Sequence, residues 1–316
     1  MSDMWTWAVL AAIVGAMLAF DLAFFGRGSK EITFRSALAW SVVWASVGVG
    51  FVGVVWWLRG GAAAEEYLAG FVIEKSLSID NLFVFALIFS YFAVPLTMQR
   101  RVIFWGIVGA IVLRGIFIFA GAALLDTFHW MVYVFGGFLV VTAIRMARHS
   151  EVEIHPEHNP ALRVLRRVIP LTSEYHGDRF FIRSGGRRMA TPLVAAFVLV
   201  ATFDVVFAVD SIPAIFAVTN DTFVVYAANA MSLLGLTALY FLLAGMIRRF
   251  LYLGLGLAVV LGFVGIKMLI SDVYKISIQF SLGVIVVVLT VAIVWSLRSS
   301  REEQRGPPDP ASATSS

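Results

Sequence analysis

Residues 73–86 read IEKSLSIDNLFVFA, and residues 203–216 read FDVVFAVDSIPAIF. In both, an acidic residue is followed six positions later by Asp, and that Asp by a small amide or hydroxyl residue. Glu74 thus matches Asp204, Asp80 matches Asp210, and Asn81 matches Ser211. Both stretches lie in apolar runs of about twenty residues, the length a helix needs to cross a bilayer. A second echo, Ile144-Arg145-Met146 against Ile266-Lys267-Met268, follows further along. The matches define two units, residues 67–148 and 191–272, joined by a loop at 149–190. Each unit holds three spans, an odd number, so the second lies upside down relative to the first. Inverted repeats with a polar site near the midplane are a common transporter arrangement. Chance likeness between two hydrophobic helices is the competing reading.

Composition points the same way. Hydrophobic residues make up 60% of the 316 and charged residues 14%, against roughly 25% charged in ordinary globular chains. Mean hydropathy is +0.89. These values exclude a soluble enzyme, a secreted disulfide scaffold and a nucleic-acid module. The absence of cysteine excludes thiolate metal sites and Cys nucleophiles. The expected fold is all-α and polytopic, with nine spans at roughly 4–25, 37–58, 67–94, 102–125, 130–148, 191–217, 223–247, 250–271 and 277–297. Residues 1–298 form one transmembrane domain. The Pro-rich end, 299–316, reads as a disordered cytoplasmic tail.

Basic residues set the orientation. Nineteen Lys and Arg fall in loops on one side, nine of them Arg between 145 and 188; the other side has only Arg59 and Lys275. The N-terminus is therefore expected outside and the C-terminus in the cytoplasm. The first span has no basic residues before it and reads as a retained helix, not a cleaved signal peptide.

Asp21, Glu74, Lys75, Asp80, Arg114, Asp204, Asp210 and Lys267 fall inside the expected spans. An ionised side chain at mid-bilayer costs roughly 2.5–3.5 kcal/mol on insertion scales, so these carboxylates require cations, protons or buried partners. Asp80 and Asp204 lie near the middle of their spans, with Glu74 and Asp210 about 9 Å further outward at the helical rise. Six helical residues turn the side chain by about 600°, about 120° short of two full turns. Glu74 and Asp80 therefore do not share a face of a regular helix. Pro213 frees the carbonyl near position 209 and favours a kink.

The buried donors are carboxylate, amide and hydroxyl oxygens, which favour magnesium, calcium or manganese over zinc or copper. All five His (129, 149, 155, 158 and 176) lie in loops or at span ends. Asp21 either joins the site or meets Arg27 or water. Lys75 either neutralises Glu74 or snorkels toward an interface, as Lys267 is expected to do. Arg114 reads as a structural counter-charge to a carboxylate. The loop segment HSEVEIHPEHN (149–159) either handles metal or is simply solvated.

Several motifs carry a family resemblance: IEKSLSIDNLFVF (73–85), FSYFAVP (89–95), QRRV (99–102), GAIVLR (109–114), FDVVFAVDSIPAIFAVT (203–219), LYFLLAG (239–245) and GIKMLI (265–270). Together they make the chain similar to the TerC family of integral membrane proteins, and within it to the manganese-exporting Alx-type branch. The resemblance covers about residues 10–297. It implies a LysE-like fold and export of Mn2+ across the plasma membrane, with no permanently bound cofactor. Glu74, Asp80, Asn81, Asp204, Asp210 and Ser211 match its acidic motifs, with Asp21, Lys75 and Arg114 as accessory candidates. The implied partners are a divalent metal ion and the lipid bilayer, not nucleic acid.

Two positions depart from the family pattern. Ala201 stands where relatives commonly carry Glu, and Thr237 where they commonly carry Arg. Loss of both leaves the buried charge unchanged, so those two residues are expected to pair in relatives. The rival functions are a TerC-type interaction protein, serving tellurite resistance or metal loading of partners, and transport of another hard cation such as Ca2+. No HExxH, GxGD or buried Ser/His pair suggests an intramembrane enzyme.

Overall fold

A computed structural model describes residues 3–25, 33–128, 130–148, 159–172, 174–177, 179–184, 187–244, 253–274 and 276–303. Eleven helices and one hairpin follow in the order α1 (Asp3–Phe25), α2 (Phe34–Arg59), α3 (Gly61–Tyr91), α4 (Leu96–Thr127), α5 (Met131–Arg148), α6 (Pro160–Val168), β1 (Phe181–Ser184), β2 (Arg187–Ala190), α7 (Pro192–Phe216), α8 (Thr222–Leu233), α9 (Leu236–Ala244), α10 (Leu253–Leu269) and α11 (Ile278–Glu303).

Local signals explain the boundaries. Thr33 caps α2 by accepting the Ser36 N–H at 3.3 Å, and Asp221 caps α8 by accepting that of Phe223 at 2.9 Å. Asn159 caps α6, with Pro160 in the first turn, where a missing N–H costs nothing. Pro192 opens α7 in the same way.

Each expected span coincides with helix, but the number of membrane crossings is smaller by length and composition. Among the described residues six helices qualify: α1, α2, α4, α5, α7 and α11. The pair α8–α9, bent by 46°, makes a seventh. α3 is long enough but carries Glu65, Glu66, Glu74, Lys75 and Asp80. α10 has 17 residues, and positions 245–252 before it lie outside the described residues.

The sharp break among the described helices lies away from Pro213. α7 continues through Pro213 to Phe216, because a proline in the last turn disturbs few hydrogen bonds. The broken helix is the seventh expected span, where Gly235 adopts φ +75°. Only glycine suits that backbone, and a Cβ there would lie 2.3 Å from Trp44 Cβ.

The stretch 149–190 is more than a solvated loop. It contains α6 and the antiparallel pair β1–β2, in register Phe181 to Ala190 and Ser184 to Arg187. The tail expectation also needs correction at its start. α11 runs on to Glu303, since Arg and Glu are good helix formers. Positions 304–316 lie outside the described residues, as do His129, His149, His155, His158 and most of 149–159.

The two expected repeat units meet along α5 and α10, the most extensive helix–helix contact. Gly136 and Gly265 let the backbones touch: a Cβ on Gly265 would lie 2.9 Å from the Gly136 carbonyl, and one on Gly136 3.1 Å from that of Gly265. Small residues permit such crossings in membrane helices. The main core joins α1, α2, α3, α4, α7, α8 and α9. A second core joins α3, α5, α10 and α11 with the end of α7.

Candidate intramembrane ion site

Arg114 is the centre of the buried polar network. Its side chain is fully buried on α4. Nη1 donates to Glu74 Oε1 on α3, and Nη2 donates to Asp204 Oδ1 on α7 at 3.1 Å. One guanidinium thus ties three helices together through two carboxylates that the sequence placed in matching motifs.

The pairing is incomplete. Glu74 Oε2, Asp204 Oδ2 and Arg114 Nε are buried without a hydrogen-bond partner among the described residues. So are Ser78 Oγ, Ser211 Oγ and Asn229 Nδ2. Ser78 lies about one turn from Glu74 on α3, and Ser211 about two turns from Asp204 on α7. Native proteins leave few buried polar groups unsatisfied. Three of these atoms belong to the triad itself, and Ser78 and Ser211 lie on the helices that supply its two carboxylates.

Asp204 and Asp210 point to different neighbours, as six-residue spacing on a regular helix requires. Asp204 meets α4, whereas half-buried Asp210 accepts the Thr142 hydroxyl on α5 at 3.2 Å. Asn81 is buried on α3. Asp80 is a helical residue of α3 whose side chain lies outside the described residues. Among the described residues no three His, Asp or Glu side chains cluster as a metal-ligand set.

The accessory residues find specific places. Lys75 neither pairs with Glu74 nor snorkels. Its Nζ donates to the carbonyls of Ser232 at 2.9 Å and Leu234 at 3.2 Å, which the break before α9 leaves open. Asp21 is buried and accepts the Thr237 hydroxyl at 3.5 Å, while its Oδ1 has no partner among the described residues. Thr237 therefore addresses α1. α9 packs chiefly on α2, α3 and α4, and the carboxylate that Thr237 meets is Asp21. Lys267 is buried rather than snorkelling, and it interacts electrostatically with Glu66.

Sequence reasoning missed Glu66, which accepts the Thr219 hydroxyl, and the polar atoms of Thr142, Ser78 and Asn229. Their one available signal was a lone polar residue inside an apolar run, which is common in buried helices.

Comparison with known proteins now has a geometry to meet. The family described as "Integral membrane protein TerC family" matches residues 59–304. A Myxococcus xanthus membrane protein designated STKORF319, of uncharacterized function, is 47% identical over 295 residues, covering 93% of this chain and 92% of its own. An Escherichia coli protein with the provisional name "membrane-bound redox modulator Alx" is 46% identical over 311 residues, covering 95% and 97%. A membrane protein of Rickettsia bellii is 33% identical over 292 residues, covering 92% and 97%. No solved structure matches the chain significantly. A match of this extent, on a chain of several apolar helices crossed by a buried acid–base triad, has one reading: the chain belongs to the TerC family of integral membrane proteins.

Proposed function

We propose that the chain exports a divalent cation, Mn2+ foremost, across the plasma membrane. The observation that carries this reading is the triad of Arg114, Glu74 and Asp204 with its unpartnered oxygens. A hard cation satisfies such oxygens well. Arg114 stands where the cargo binds, since both need the same two carboxylates. Entry of a doubly charged ion beside the guanidinium is repulsive, so the ion displaces Arg114 from one carboxylate. Arg114 then returns when the ion leaves, and holds the empty site neutral enough to stay closed.

Asp80, Asn81 and Ser211 extend the path along α3 and α7, and Asp210 with Thr142 offers a second station toward α5. Protons are the natural counter-cargo, because carboxylates emptied of a cation in an apolar surround bind protons. The inverted-repeat reading, with a LysE-like arrangement within residues 1–298, is supported by two features. The motif-matched Glu74 and Asp204 share one partner, and α5 crosses α10 at reciprocal glycines. Rocking of one unit against the other then alternates access. The N-terminus lies outside and the C-terminus in the cytoplasm on this reading, by the Arg count. The name of the Escherichia coli relative suggests a redox role. Without a single cysteine, this chain carries no dithiol for one.

The test is Mn2+ flux into sealed liposomes containing the purified full-length protein, with Ca2+, Mg2+ and Zn2+ as competitors. Wild type should carry Mn2+, and Asp204→Asn, Asp80→Asn and Asp210→Asn should each reduce flux strongly. Strong competition by Ca2+ alone would make calcium the cargo. A folded protein that binds Mn2+ but moves none would overturn export, in favour of a membrane-anchored metal-handling partner for other proteins.

A further inference from the structure

The Arg-rich end of the helix bundle carries a pocket of its own, separate from the triad. A cavity of about 510 Å³ lies where α3 ends, α7 begins and α6 packs alongside. Its wall is apolar: Phe92, Leu171, Pro192 and Ala195. Its polar side chains are those of Tyr91, Arg166, Thr172 and Tyr175. Tyr175 donates its hydroxyl to the Phe92 carbonyl at 2.5 Å, which pins the loop to the end of α3. Burial pushes the Tyr175 phenol up, so this bond keeps its proton. Thr172 Oγ1 accepts the Glu174 N–H at 3.1 Å, which leaves its own O–H to donate. Arg166 is exposed and makes no ion pair among the described residues. Besides the Tyr91 hydroxyl at its edge, the donors of the pocket are therefore the Arg166 guanidinium and the Thr172 hydroxyl, backed by an apolar wall.

The surroundings say what fits. α6 buries Leu162, with Leu165 packed beside it, toward the core. Val164 and Val168, one turn apart, are 59% and 71% exposed. Arg163, Arg166 and Arg167 occupy the other exposed side of the same helix. An exposed apolar strip beside an Arg strip is the pattern of a helix lying in a membrane surface. The hairpin region adds exposed Arg179, Arg183 and Arg188, against Glu174 as the one acidic residue described between 159 and 190. Tyr91 is 55% exposed and stacks edge-on against Phe92, as aromatic residues do at headgroup level. The cavity thus combines an apolar wall with a basic surround at one end of α3 and α7.

We propose that this pocket binds one anionic phospholipid, with the phosphate on Arg166 and Thr172 and the first acyl methylenes along Phe92, Leu171, Pro192 and Ala195. Free inorganic phosphate uses the two donors but wastes the wall. A zwitterionic lipid uses the wall but adds a positive group beneath a surface that is already positive. The proposal rests on the membrane embedding of the chain and not on which ion it carries.

The test is native mass spectrometry of the full-length protein in detergent, titrated with phosphatidylglycerol, phosphatidylcholine or inorganic phosphate. Wild type should retain one phosphatidylglycerol saturably. Loss of a charge-assisted contact should weaken that site about tenfold in Arg166→Ala. Ala195→Phe, which fills the wall without touching a charge, should block it. Arg163→Ala, on the basic strip outside the cavity, should keep it. Arg166 is exposed and Arg166→Ala is expected to fold; circular dichroism checks this, and Ala195→Phe tests the pocket independently. Equal retention by wild type and both pocket variants would overturn the proposal. So would equal binding of phosphatidylcholine, or full competition by inorganic phosphate, which would make the pocket a soluble-anion site.

Discussion

Arg114 and Asp204 lie ninety positions apart in sequence and 3.1 Å apart in space. The same guanidinium also holds Glu74, so α3, α4 and α7 are joined at one buried point. Removing one partner of a buried ion pair costs about 3–5 kcal/mol, because the other charges stay behind unpaired.

Arg114→Leu should therefore lower the melting temperature of the detergent-solubilised protein sharply. If Arg114 stands in for the cargo, saturating Mn2+ should raise the melting temperature of Arg114→Leu by several degrees more than that of wild type. Arg114→Lys keeps the charge but loses the two-pronged geometry. It should fold, with a smaller Mn2+ effect, and this keeps the comparison available if the Leu variant is too unstable to purify. Equal Mn2+ shifts in all three would remove the surrogate-cation idea.

Lys75 serves the break at Gly235. It offers its ammonium to two carbonyls more than 150 positions away. Each buried carbonyl left unmet costs about 1–3 kcal/mol. Lys75→Met retains the length and loses the donors. Amide hydrogen exchange at residues 234–238 should accelerate about tenfold or more in that variant, with the α5–α10 seam unchanged. Uniform acceleration across the protein would mean that Lys75 supports the whole fold rather than this bend.

The helices were legible in the sequence because apolar runs of membrane length have few alternatives. Arg114 was legible as a counter-charge for the same reason: a buried guanidinium must pair. Its partners were not legible, since they depend on which helices touch. The same helix geometry that separates Glu74 from Asp80 in the sequence also sends Asp204 and Asp210 to different neighbours, although the side chain of Asp80 lies outside the described residues. Lys75 was misjudged because its role exists only where Gly235 breaks a distant helix, and the glycine shows its need only against Trp44. Pro213 sits in the last turn of α7, which continues through it to Phe216, so the sharp break in the bundle falls at Gly235 instead.

The α5–α10 seam makes a separate prediction. Gly265→Ala places a methyl 2.9 Å from the Gly136 carbonyl, closer than real contacts allow, and backbone cannot give way as a side-chain tip does. The variant should lose about 1–3 kcal/mol of stability, the usual cost of overpacking. Transport by the surviving fraction should fall as well if the two units rock across this seam. Gly137→Ala, one position along with open space around it, is the control and should be close to neutral. If Gly265→Ala matches that control in stability, the helices do not pack as closely as the reciprocal glycines indicate.

Asp21 on α1 and Thr237 on α9 meet through their side chains. Thr237 is buried and aims its hydroxyl at Asp21 across a long 3.5 Å contact. A single weak donor is little compensation for a buried carboxylate. An arginine at 237 would start from the position whose hydroxyl already reaches Asp21. Thr237→Arg should therefore be tolerated in the wild-type background and destabilise by about 3–5 kcal/mol more when combined with Asp21→Asn, which leaves the new charge buried alone. Ala201→Glu should not relieve that loss. Melting temperatures of the four combinations form a double-mutant cycle, which isolates the coupling between the two sites. Rescue of Thr237→Arg by Ala201→Glu, with no dependence on Asp21, would restore the pairing of 201 with 237. A coupling to Asp21 alone would show that the first helix supplies a carboxylate to the polar network. In that case truncating α1 should change ion handling even though the triad on α3, α4 and α7 remains intact.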